Sequence, residues 1–130
     1  MEGYISTRKV IILIEGGNTH NFIHESLVST LGLPAQSTQI LRVIVGNVSE
    51  IKCSQVCHNV IIQVQGHQFS VEFHVLPLGG VDLVLGVQWL KSLDPVLTDY
   101  MDLTMKFMNQ GRIVELQGDR EDVIHDVTHH

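Results

Sequence analysis

The stretch Val10–Ile23, VIILIEGGNTHNFI, decides how this chain is read. An apolar, β-branched run enters Glu15-Gly16-Gly17, and a polar turn follows. A strand this apolar is expected to be buried on both faces. Ending it with a carboxylate and two glycines places an acid at the rim of a packed core, where the backbone can turn sharply. That is a mounting suited to chemistry, and the acid so mounted is a glutamate.

Composition narrows the setting. A chain of 130 residues, 44% of them hydrophobic, is long and apolar enough for one domain with a real core, and general disorder is excluded. A formal charge of −6 argues against nonspecific binding to nucleic acid or to an anionic membrane. Eight histidines make the surface charge pH-dependent below about pH 6.5. Two cysteines, no leading signal segment and no apolar run of membrane-spanning length point to a reduced, cytoplasmic setting.

Outward from the opening stretch, residues 1–8 are polar and read as an N-terminal arm, either fraying or forming an edge strand. Lys9–Ile14 is the first firm strand. Asn21 is the expected N-cap of a helix over Phe22–Leu31, closed by Gly32 and Leu33-Pro34. Leu41–Val45 and Ile51–Val56 flank a hairpin tip at 46–49, and Val60–Val64 and Phe69–Leu76 flank a second at Gly66-His67. In the last of these, Phe69, Val71, Phe73 and Val75 alternate with Ser70, Glu72 and His74, giving one core face and one wet face. Asp82–Gly86 is a short buried strand, followed by a helical turn carrying Trp89. Leu103–Met108 and Arg112–Leu116 read as a closing hairpin. The domain spans 9–118, and the acidic, histidine-rich segment 119–130 reads as a mobile tail. Seven or eight strands, two short helices and no βαβ alternation give an all-β, barrel-like domain.

Two segments together carry a resemblance. The apolar strand, its acid-small-Gly turn and Thr19–Ile23, followed later by LPLGGVDLVLGVQWL at Leu76–Leu90, resemble the protease domain of gypsy-type LTR retrotransposon polyproteins, especially those of plants. These are retropepsin-like aspartic proteases, and the similarity runs from about Val10 to Gln117. The resemblance implies a small closed barrel that works as a homodimer on a peptide or polyprotein, with no cofactor and no metal. Each subunit of such a dimer contributes one aspartate from an Asp-Ser/Thr-Gly loop. Two carboxylates about 3 Å apart cannot both ionise, so one serves as base and the other as acid toward a water. Val43–Ile51, with Val45, Gly46, Asn47 and Val48 at its tip, matches the flap that folds over the substrate strand. Leu85 and Gly86 match the segment beneath the catalytic loop.

The departures fall on that loop and on the flap tip, where Gly46-Asn47-Val48 stands in place of the Asn-Gly turn usual in the family. Glu15 stands at the aspartate position and Gly16 at the hydroxyl position, and Gly17 alone agrees with the triplet. An added methylene moves each carboxylate forward by roughly 1 Å, and misplacement on that scale can cost on the order of 100-fold in rate. Loss of the hydroxyl removes a bond that, in the family, crosses the dimer and stiffens both loops. Weakened or lost hydrolysis follows, and the alternative is a non-catalytic dimerisation or peptide-binding module on the same fold. Asp82, Asp94, Asp99 and Asp102 read as structural or turn residues. Cys53 and Cys57, about 13 Å apart along one face of a regular strand, can neither share a metal ion nor form a disulfide.

Overall fold

In a computed structural model, described here for residues 1–15, 19–45, 49–91, 96–99, 104–109 and 112–117, six strands close into a barrel. They are β1 (Glu2–Ile5), β2 (Arg8–Ile14), β3 (Phe22–His24), β5 (Ser49–Val64), β6 (His67–Leu76) and β7 (Leu83–Leu85). Their order around the barrel is β1-β2-β7-β3-β6-β5, and the ring is completed where Tyr4 of β1 pairs with Gln63 of β5. β4 (Gln36–Val45) extends the sheet as the outer arm of a hairpin with β5, paired from Gln36 with Val56 to Val45 with Ser49, with a register shift between Ser37 and Leu41. A second, three-stranded antiparallel sheet is built from β8 (Val96–Asp99), β9 (Thr104–Asn109) and β10 (Arg112–Gln117). The two helices, α1 (Glu25–Leu31) and α2 (Val87–Lys91), are short. The tail 119–130 and the aspartates Asp94 and Asp102 lie outside the described residues.

Alternation drives the barrel. Phe69, Val71 and Phe73 of β6 point inward and are buried, while Ser70 is exposed and Glu72 and His74 are only partly covered. Val10, Ile12 and Ile14 of β2, with Ile62 and Val64 of β5, fill the interior opposite them. Trp89 of α2 closes one end, its ring edge-on to Phe69 at 5.7 Å between centroids. Met105, Val114 and Leu116 of the second sheet join this same core, so that sheet packs onto the barrel. The Gln65 side chain fixes it further, accepting from Gln117 N–H at 2.7 Å and donating back to the Gln117 carbonyl.

Residues 1–8, expected to be an arm, supply β1, the strand that closes the ring, and Met1 is buried with its ammonium donating to the Ile12 carbonyl. Gly3 makes that seam possible. A Cβ there would sit 2.7 Å from the Gln63 carbonyl oxygen and 2.8 Å from Ile12 Cδ1, closer than real side chains approach.

Three expectations are corrected. The helix expected over Phe22–Leu31 begins only at Glu25, and Phe22–His24 form β3. Phe22 and Ile23 find partners on both sides, in β6 and β7, and that pairing outweighs their helical spacing. The cap is therefore His24, whose Nδ1 accepts from Ser26 N–H, and Asn21 lies before the strand. The helix does stop at Gly32, which takes φ +63° while Leu33 N–H reaches back to the Val28 carbonyl. The two strands expected at Ile51–Val56 and Val60–Val64 are one, β5, kinked by a bulge where Asn59 adopts φ +54°. Finally, Cys53 and Cys57 do not pack into one cluster. Between them β5 passes from its pairing with β4 to its pairing with β6, so Cys53 enters an outer apolar cluster and Cys57 the barrel core.

Candidate active site

Glu15 follows β2 at the rim of the barrel and is 5% exposed. Its position is fixed by the backbone: Glu15 N–H donates to the Leu85 carbonyl at 2.9 Å, continuing the parallel β2–β7 pairing in which Ile14 faces Leu85. Leu85 and Gly86, expected beneath the acid loop, are both buried there. Past the loop the chain is held again, since Gln88 N–H donates to the Thr19 carbonyl at 2.8 Å. The structure thus brings together three of the expected site residues, Glu15, Leu85 and Gly86. Gly16 and Gly17 fall outside the described residues, as do Gly46, Asn47 and Val48 of the flap tip; of Val45 the backbone pairing with Ser49 is described.

Between the acid and the β4–β5 hairpin lies a second apolar cluster. Phe22, Leu76 and Val84 are buried in it, with Leu13, Val43 and Ile51 packed against them. Leu13 comes from the strand that carries Glu15, and Val43 and Ile51 from the hairpin, and these three are only half-buried against the cluster.

Asp82 does structural work: its carboxylate accepts from Ile11 N–H at 2.8 Å, and its own N–H and carbonyl bond to Ile11 and His24. The Cys53 thiol donates to the Val75 carbonyl at 3.1 Å, and burial raises the pKa of the Cys57 thiol, which keeps it protonated. Among the described residues, no three His, Cys, Asp or Glu side chains converge as metal ligands, and no helix is long and apolar enough to cross a membrane.

The sequence marks His20 and Asn21 as organisers of the turn after the acid loop and of a helix start, and two features go beyond that reading. One is Asn21, 2% exposed, whose Oδ1 accepts from Gly86 N–H at 2.9 Å and whose Nδ2 donates to the Glu72 carbonyl at 3.1 Å. Its signal was the last residue of the polar run Asn18-Thr19-His20-Asn21 just before an apolar Phe-Ile pair, which a strand explains as well as a helix cap. The other is a histidine pair. The His20 and His74 rings meet edge to face at 4.9 Å, and His58 pairs with Glu72 at 3.3 Å on the neighbouring positions. His74 Nδ1 is buried with no hydrogen-bond partner among the described residues. Burial lowers the His74 pKa below the ordinary histidine value, and positive charge on His20 and His58 lowers it further, against an opposing pull from Glu72.

A depressed folded-state pKa means that the unfolded chain takes up the proton first. The stabilisation is complete above the ordinary value, about pH 6.5, and drains away as pH falls toward the depressed one. Denaturant melts between about pH 7.5 and 5 are expected to show stability falling with pH, and His74→Gln should flatten that fall. An unchanged slope would remove His74 as its source.

Residues 3–112 match the family described as retroviral aspartyl protease. Among solved structures, the retroviral protease-like domain of Ddi1 from Leishmania major shares the fold at a TM-score of 0.69 and 15% identity, over 93% of this chain and 94% of that one. A retropepsin-like aspartic protease from Rickettsia conorii is similar at a TM-score of 0.51 and 19% identity, over 76% of this chain and 74% of its own. No curated protein sequence matches the chain. The mostly β, six-strand closed barrel with two short helices is thus the retropepsin-like fold.

Proposed function

Because the chain belongs to the retroviral aspartyl protease family, we propose that it acts as a homodimeric, peptide-binding retropepsin-like domain whose hydrolytic power is severely weakened. The observation that carries this reading is the mounting of Glu15. Its backbone N–H is bonded to the Leu85 carbonyl beside β7, which supports reading the extra methylene as added reach of the carboxylate from a fixed base. In a symmetric pair both carboxylates overreach together. One acid per chain makes a second copy necessary for any acid–base couple, and a solution mass of twice the 14.5 kDa chain is expected. The half-buried apolar side chains of Leu13, Val43 and Ile51 support continued binding of an extended peptide. Resemblance to gypsy-type retrotransposon proteases supports a polyprotein as the ancestral substrate.

The test is cleavage of a peptide library between about pH 4 and 7 by the natural chain and by Glu15→Ala, with peptide binding measured in parallel. Binding is expected in both and turnover in neither beyond a trace. Brisk turnover that disappears in Glu15→Ala would overturn the proposal and restore Glu15 as a working catalytic acid.

A further inference from the structure

One peptide plane beneath the acid loop is held at both of its polar atoms. The carbonyl of the Leu85–Gly86 peptide accepts from Glu15 N–H, and its N–H donates to Asn21 Oδ1, each at 2.9 Å. Glu15 and Asn21 stand on either side of the acid loop, so a single rigid group ties its two sides together. Asn21 is anchored in turn to β6: Nδ2 donates to the Glu72 carbonyl, and its own carbonyl accepts from His74 N–H at 2.8 Å. We propose that Asn21 is a positioning residue, setting where Glu15 sits by fixing the plane against which the Glu15 backbone is bonded. The inference rests on reading Glu15 as the family's acid position.

The chemistry singles out asparagine. The site needs an acceptor for Gly86 N–H and a donor for the Glu72 carbonyl, on one short side chain and in a nearly closed environment. Serine lacks the two-armed reach, glutamine is longer by a methylene, and an ionised aspartate turns an acceptor toward a carbonyl. Leaving Gly86 N–H without a partner in a buried place loosens the plane, because an unmade buried hydrogen bond costs more than a made one returns. A protonated aspartate, by contrast, has both a carbonyl and an O–H and can satisfy both bonds.

That difference gives the test. In the full chain carrying Glu15→Asp and Gly16→Ser, Asn21→Ala is expected to lower kcat by about tenfold or more while KM stays within about threefold. Asn21→Asp in the same chain should recover most of kcat near pH 4.5, where the new carboxyl is largely protonated in so buried a place, and lose it near pH 7. The ionisable neighbours are His20 on the same segment, Glu72 and His74 of β6, His58 of β5 and the acid across the peptide plane. Rates are therefore compared at each pH with the parent, which shares all of these except the new carboxyl. A loss confined to KM, or an Asn21→Asp profile parallel to the parent's, would overturn the proposal. If the parent does not cleave, the defect lies beyond the acid loop, in the hairpin or the dimer, and amide exchange in the natural chain decides the matter for Asn21. Protection of Glu15 and Gly86 amides should then fall by about tenfold or more in Asn21→Ala while Ile12 and Ile62 keep theirs. Equal loss at all four amides would show general destabilisation and reject a positioning role.

Discussion

Changing Glu15 to Asp and Gly16 to Ser together is expected to raise kcat/KM for peptide hydrolysis by on the order of 100-fold or more. Shortening the acid by one methylene returns the carboxylate to the reach at which two copies can share a proton. The backbone needs no adjustment, since Glu15 N–H is already bonded to the Leu85 carbonyl and Ile14 is already paired with Leu85. The serine restores the hydroxyl that, in the family, bonds across the dimer. The single change Glu15→Asp should yield part of the gain, because geometry is corrected while the loops stay less rigid. Initial rates on one cleavable peptide near the acid optimum give the comparison. No gain in the double variant would place the defect in the hairpin or in dimer formation.

The largest expected loss of stability comes from Phe73→Ala. Phe73 is fully buried in β6, faces Cys57 across the β5–β6 ladder, and lies in the cluster shared by barrel and second sheet. Truncating a buried phenylalanine typically costs about 3–5 kcal/mol, a transfer loss plus the cavity left behind. Against a total of about 5–15 kcal/mol for ordinary domains, that is about a fifth of the margin or more. The next residue along, His74, holds the Asn21 carbonyl, so a relaxing β6 would also loosen the acid loop. Equilibrium unfolding in urea measures the loss directly. A change below about 1 kcal/mol would mean that neighbouring side chains collapse into the space.

Much of the barrel was legible because short-range signals agreed with long-range ones. The alternation in β6 survives as Phe69, Val71 and Phe73 inside with Ser70 outside. The second hairpin was legible from Gly66, which takes φ +83°. Its turn falls one residue early, at Gln65-Gly66 and not Gly66-His67, with Gln65 at φ +49° and His67 already in β6. Glu15 at the end of an apolar strand was visible from Val10–Glu15 alone, but burial on both faces was not borne out. Val10, Ile12 and Ile14 are buried, while Ile11 is exposed and Leu13 half-buried, because only one face of β2 meets the barrel core. What was hidden depended on partners distant in sequence. Phe22–His24 look helical in isolation and become a strand because β6 and β7 flank them. Cys53 and Cys57 separate because β5 changes neighbours between them, which no local pattern records. Asn21 was invisible as a clamp because its two side-chain partners, in β6 and after β7, are far along the chain.

The insertion of β7 between β2 and β3 also governs the order of events as the chain folds. β2 and β3 flank the acid loop yet share no backbone pairing with each other; β7 is parallel to one and antiparallel to the other. Asn21 and Gly86, 65 residues apart, and Ile11 and Asp82, 71 apart, must meet before the loop has a floor. Contacts so distant in sequence incur their loop-closure entropy before returning any stabilisation, and they slow folding accordingly. The acid site therefore cannot precede the arrival of residues 83–86, and it matures only as the barrel closes around β7.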